Sequence, residues 1–126
     1  MISPGYPNKN YPTYQNCERI VRFQRETPFR IEFLGEFELE ASWDGSDCYD
    51  YVEIRNGENS NSPLIMKVCS DENLRATTLI GSSVWAKFQS DGGTTYKGFS
   101  LAITQLAQSD GNDMQIISYM IQKIYY

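Results

Sequence analysis

The chain has 126 residues, enough for one domain built around one core. A net charge of −5 argues against nucleic acid, whose phosphates call for a Lys/Arg surface, and allows a cationic partner or simply a solvated surface. Histidine is absent, which removes Ser-His-Asp and Cys-His catalysis and every His-containing zinc site, and three cysteines cannot build an all-thiolate zinc site.

Apolar residues make up 40% and charged residues 21%, a globular balance. No run approaches the length of a membrane span, and no Walker-type phosphate loop is present. Residues 3–16 hold three Pro and three Tyr among polar residues, which predicts an extended, turn-rich lead-in. From there the apolar period is two. Val21 and Phe23 alternate with Ile20 and Arg22. Ile31 and Phe33 share a face, as do Phe37 and Leu39, then Val52 and Ile54. Val84, Ala86 and Phe88 oppose Trp85 and Lys87, and Phe99, Leu101 and Ile103 oppose Ser100, Ala102 and Thr104. Such alternation places one face on a core and the other in water.

Turn signals at Asp44-Gly45, Asn56-Gly57, Asn61-Ser62-Pro63 and Asp91-Gly92-Gly93 separate the segments. Short strands at this spacing predict an all-β sandwich. Residues 71–80 show a weak signal for a short helical turn. Residues 105–113 read as a linker. In the apolar stretch 114–126, Ile117, Met120, Ile121 and Ile124 fall at helical spacing, over a length too short to span a bilayer.

Cys17, Cys48 and Cys69 in a small β-domain point to an oxidising compartment. Met1 is followed by Ile2-Ser3-Pro4-Gly5-Tyr6-Pro7, which is not a signal peptide. The two readings agree if the chain is a piece of a longer secreted protein, and that is the expectation.

Ser3-Pro4-Gly5-Tyr6-Pro7 with Tyr11-Pro12, Cys17, Phe37-Glu38-Leu39-Glu40, Cys48 through Gly57, Leu64 through Cys69, Phe88-Gln89-Ser90-Asp91 and Gly98-Phe99 follow one another in an order that resembles a CUB domain over residues 3–104. The resemblance implies an all-β, CUB-type antiparallel β-sandwich, jelly-roll-like, over residues 1–104. Its first strand would be missing, and residues 105–126 would be a linker and tail. It implies a Cys48–Cys69 disulfide, closing a loop of about 20 residues and contributing roughly 3 kcal/mol on the chain-entropy model. The residues alone leave open two buried free thiols. Cys17 would pair upstream of Met1.

The resemblance also implies one Ca²⁺ held by Glu40, Asp50 and Asp91, with a carbonyl such as that of Gly93. The chemistry fits, since Ca²⁺ takes several carboxylate and carbonyl oxygens and close carboxylates repel unless a cation lies among them. Taken alone, the three could be solvated loop acids. The 40–50 loop is longer than the family's, and its Asp44 and Asp47 are substitute ligands. Tyr11 matches a family Tyr beside the ion, with a packed aromatic as the alternative. Trp43 is an interface anchor if exposed, or a cap on the sandwich edge.

The expected function is a non-catalytic protein-recognition module, extracellular or in the ectodomain of a membrane protein. Its end loops bind calcium and receive Lys or Arg from a protein ligand; the domain itself neither inserts in membrane nor binds nucleic acid. The parent would be a multidomain protein such as an astacin- or tolloid-like protease. A metal-free structural or carbohydrate-binding CUB, like the spermadhesins, is the alternative. More remote is a glycosidase pairing Glu40 with Asp50 or Asp91, which needs a sugar-sized cleft.

Overall fold

In the computed structural model, which describes residues 1–72 and 74–106 and the backbone of 119–123, every regular element is a strand. These are β1 (Asn16–Phe33), β2 (Tyr51–Arg55), β3 (Leu64–Val68), β4 (Thr77–Gln89), β5 (Leu101–Leu106) and β6 (Tyr119–Lys123). They form one antiparallel sheet in the order β3-β2-β4-β1-β5-β6.

The segments around Val21 and Ile31 belong to a single strand of 18 residues. Nothing between them stops the chain, because Phe23-Gln24-Arg25-Glu26 carries no turn residue. The ladder to β4 instead shifts register between Arg22 and Thr27, and extra residues on one strand bend it. Past this bend β1 pairs with β5 as well as β4. Phe37 and Leu39 lie outside any strand, tied by a single bridge from Glu38 to Gly98. The helical turn expected within 71–80 is not formed at its end, where Thr77 opens β4.

The tail also departs from its helical spacing. Met120 and Ile121 lie in β6, antiparallel to β5, while Ile117 and Ile124 fall outside the described residues. An open strand edge presents unpaired N–H and C=O groups. Along β5 that edge is taken up by β6 at Ala102–Leu106, and by Met1 and Ile2 at Leu101 and Ser100.

Closure of the sheet follows from its aromatic contacts. Phe88 is the register partner of Cys17 near the start of β1, and Phe99 lies two residues before Leu101, the partner of Phe33 at its end. Cys17 and Phe33 would stand on the order of 50 Å apart on a straight strand. Yet the Phe88 and Phe99 rings meet edge-on with centroids 5.2 Å apart. The long β1–β4 ribbon is therefore folded over, and the sandwich core lies inside the fold. Val21, Phe29, Ile31, Val52, Ile54 and Leu101 fill it from both sides.

Trp85 differs from the alternation pattern. It points away from that core, yet it is only 2% exposed. Its register partners Ile20 and Arg55 flank it, and its indole N–H donates to Glu18 Oε2 at 3.3 Å. A large ring covered by its cross-strand neighbours forms a second, small apolar contact.

The Cys48–Cys69 disulfide is formed, with Cα atoms 5.5 Å apart, and it ties the approach to β2 to the exit of β3. Cys17 is a half-buried free thiol.

Phe88→Ala is expected to cost about 3–5 kcal/mol of stability in urea unfolding, because it removes the ring shared by both halves of the fold. A loss below about 1 kcal/mol would show that the two halves do not depend on this contact.

Candidate metal centre

Three chain segments converge at one end of the sandwich. Glu40 follows the Glu38 bridge, Asp50 immediately precedes β2, and Asp91 lies just beyond β4. Each offers a carboxylate oxygen, and these oxygens all lie within 4.8 Å of one another.

Asp50 is the fixed point. It is completely buried, and its side chain accepts two hydrogen bonds. The Tyr11 hydroxyl donates to Oδ2 at 2.6 Å, and the Asp91 backbone N–H donates to Oδ1 at 2.8 Å. Burial pushes the Asp50 carboxyl above its ordinary value, opposed by the Tyr11 bond and the Asp91 N–H, with the nearby Asp91 charge adding to the rise. Burial, and then the bond to Asp50, likewise drives the Tyr11 hydroxyl well above its ordinary value, so it stays a donor.

Tyr11 is 1% exposed, so it meets no partner directly. Its role is positional. The same hydroxyl accepts the Glu40 backbone N–H at 3.1 Å, and its ring packs edge-on against Phe88 at 5.1 Å. One buried side chain thus holds Asp50 and the Glu40 backbone against the core. The Asp50 N–H closes the arrangement by donating to the Glu40 carbonyl at 3.0 Å.

The Asp91 loop is built by backbone donors. The Gly93 N–H donates to Asp91 Oδ1, and the Thr94 N–H donates to Glu40 Oε2, both at 2.9 Å. A Cβ on Gly93 would sit 3.0 Å from Glu40 Oε1, so the close approach of this loop to the carboxylate favours glycine. Ser90 anchors the loop from below, donating to the Pro12 carbonyl at 2.9 Å and accepting the Gln15 N–H at 2.8 Å. The Tyr14 N–H donates to the Asp91 carbonyl. Thr94 and Tyr14 were not legible as site residues, because backbone donors leave no side-chain signature. Ser90 could have been found, since it directly precedes Asp91.

Asp44 and Asp47 are not part of the grouping among the described residues. Asp44 Oδ1 accepts the Ser42 hydroxyl at 2.7 Å, the Ser46 hydroxyl at 2.8 Å and the Ser46 N–H at 3.1 Å. These bonds, the Ser42 hydroxyl foremost, pull its carboxyl down to about 2. The long loop forms its own hairpin, based on the Ala41–Cys48 bridge, with Trp43 98% exposed on it. Trp43 therefore does not cap the sandwich.

Two oxygens bound to one Ca²⁺ at about 2.3–2.6 Å lie no more than about 5 Å apart. The observed spread of 4.8 Å satisfies this, and all the donors are oxygen. The ion pairs among the described residues, Arg22–Glu58, Arg55–Glu53 and Lys97–Glu36, involve other acids.

This architecture matches a known family. The CUB domain model covers residues 1–103, and the chain belongs to the CUB domain family. It is 40% identical to human neuropilin-2 over 105 residues, 80% of this chain and 10% of that protein. It is 31% identical to dog cubilin over 112 residues, 88% of this chain and 3% of that protein. The chain thus spans a tenth or less of the length of these relatives. The crystal structure of the MASP-1 CUB2 domain bound to Ca²⁺ shares the fold, with a TM-score of 0.70 at 23% identity, covering 82% of this chain and 88% of that one. CUB domains are extracellular, non-catalytic modules that typically engage other proteins.

Tyr11→Phe keeps the ring packing and removes the donor to a buried carboxylate. It is expected to cost about 1–3 kcal/mol in urea unfolding without calcium. A change within about 0.5 kcal/mol would show that Asp50 does not depend on this bond.

Proposed function

We propose that this domain is a calcium-stabilised protein-recognition module, carried by residues 1–104 within a larger multidomain protein. Glu40, Asp50 and Asp91 hold one Ca²⁺, with the Gly93 carbonyl as a further donor. The observation that carries this reading is the convergence of three carboxylates, one of them fully buried, with Glu40 and Asp50 at the base of one hairpin and Asp91 arriving from beyond β4. Repulsion among them opposes the folded state, and a divalent cation reverses its sign.

The ion supplies structural charge. It holds the Glu40 and Asp91 loops to the buried Asp50, leaving a rigid, acidic end surface suited to Lys or Arg side chains of an extracellular protein partner. A relative's structure is described as bound to Ca²⁺, which supports the same use of the fold here.

A metal-free, spermadhesin-like module would turn its acids apart, whereas these lie within 4.8 Å. A glycosidase pair of Glu40 with Asp50 needs both carboxyls in reach of a sugar, and Asp50 has no exposure; a pair of Glu40 with Asp91 would leave the buried Asp50 charge beside it uncompensated. Both observations favour the calcium reading.

Ca²⁺ at about 5 mM, with a Kd on the order of 10⁻⁴–10⁻³ M, contributes roughly 1–2 kcal/mol, a rise in Tm of about 4–8 °C. EDTA is expected to reverse it. Asp91→Asn and Glu40→Gln keep the acceptors of the local hydrogen bonds and are expected to remove most of the rise. An unchanged Tm in 5 mM Ca²⁺, measured by calorimetry, would sink the metal site.

A further inference from the structure

Trp43 is the most exposed large apolar side chain among the described residues, at 98%. It does not sit on a loose loop. The Ser42 N–H donates to the Asp47 carbonyl at 2.9 Å, and the Gly45 N–H donates to the Ser42 carbonyl at 2.8 Å. The Asp47 N–H is taken by the Ser42 hydroxyl at 3.0 Å. Gly45, at φ 74°, makes the left-handed turn with open space around it. The base is clamped twice, by the disulfide at Cys48 and by the Asp50 N–H on the Glu40 carbonyl.

The hairpin thus spends its polar groups on its own shape and leaves its one large apolar group in water. Burial of that indole is available only from outside the domain. A rigid aromatic on a preorganised loop loses little entropy on binding, which is the character of an interface anchor. Tyr49, just past the disulfide, is also 49% exposed.

Charge selects the partner. The hairpin exposes two acids, Asp44 and Asp47, and residues 40–50 contain neither Lys nor Arg. An anionic lipid surface would be repelled by this stretch. A protein pocket rimmed with basic side chains would be attracted.

We propose that the Trp43 hairpin is the primary anchor for a protein partner that offers an apolar pocket flanked by Lys or Arg. This extends the protein-recognition reading above by naming the residue that docks and the chemistry it seeks. The calcium site lies at the hairpin's base and is read separately, by the Ca²⁺-induced rise in Tm of the unsubstituted chain.

The test is selection of phage-displayed, disulfide-cyclised random peptides on the immobilised 126-residue chain. Enriched peptides are expected to combine apolar residues with at least two Lys or Arg. Synthetic versions are expected to bind Trp43→Ala at least tenfold more weakly, with circular dichroism reporting that the variant is folded. Asp44→Ala keeps the indole but removes the oxygen that accepts from Ser42 and Ser46, and is expected to weaken binding severalfold. Binding should also shift the exposed Trp43 emission to the blue. Peptides without basic residues, no enrichment at all, or a change of less than twofold on Trp43→Ala would overturn the proposal. So would a blue shift with phosphatidylcholine–phosphatidylserine vesicles that is lost in Trp43→Ala, which would make the hairpin a membrane anchor.

Discussion

Cys17 and Phe33 stand near opposite ends of one strand, yet the rings beside them, Phe88 and Phe99, touch. The fold-over of the β1–β4 ribbon is the constraint on which the rest of the structure depends. It creates the enclosed core, and it brings the lead-in, the approach to β2 and the exit of β4 to the same end. Tyr11 packs against Phe88 at the seam and points its hydroxyl at Asp50. Aromatic closure and site assembly are therefore one event, because the ring that completes the core carries the donor that organises the acids.

That coupling explains how a carboxylate comes to be fully buried. A buried charge is costly unless it is hydrogen-bonded or paired. Asp50 has two donors, one from the core side and one from the Asp91 backbone, and its carboxyl still rises above its ordinary value. The hydrogen bonds fix where it points but do not cancel its burial or the neighbouring acids. A cation among Glu40, Asp50 and Asp91 would do so, which is the physical content of the calcium reading. The bond from the Asp91 N–H transmits any ordering of Asp50 directly to the Asp91 loop.

The two acidic loops use their charges differently. Asp50 and Asp91 are drawn toward a common centre, whereas Asp44 turns inward on Ser42 and Ser46 and stiffens a hairpin that holds Trp43 out in solvent. The 40–50 segment keeps Glu40 beside Asp50 because its hairpin closes on itself at Ala41 and Cys48. Insertion into a surface loop is tolerated when its own hydrogen bonds consume its polar groups.

Much was legible in the sequence alone. Period-two apolar patterning at Val52 and Ile54 and at Val84 to Phe88 marked strands, and absent histidine excluded whole classes of catalysis. The order of the motifs marked the family and the Cys48–Cys69 bridge. Other features were decided only in three dimensions. Strand continuity through Phe23–Glu26 depends on a bend that no local residue announces, and the tail's apolar spacing yielded to an open β5 edge at Tyr119–Lys123. Trp85 read as solvent-facing because alternation assigns a face but does not say what covers it. Tyr11 read either as a Tyr beside the ion or as a packed aromatic, and only packing shows that it is both, buried beneath the acids it positions. Sequence determined which side chains the domain had to work with. The distances from Glu40 and Asp50 to Asp91 came from the fold-over, because one hairpin joins Glu40 to Asp50 locally whereas Asp91 reaches them only when the core closes.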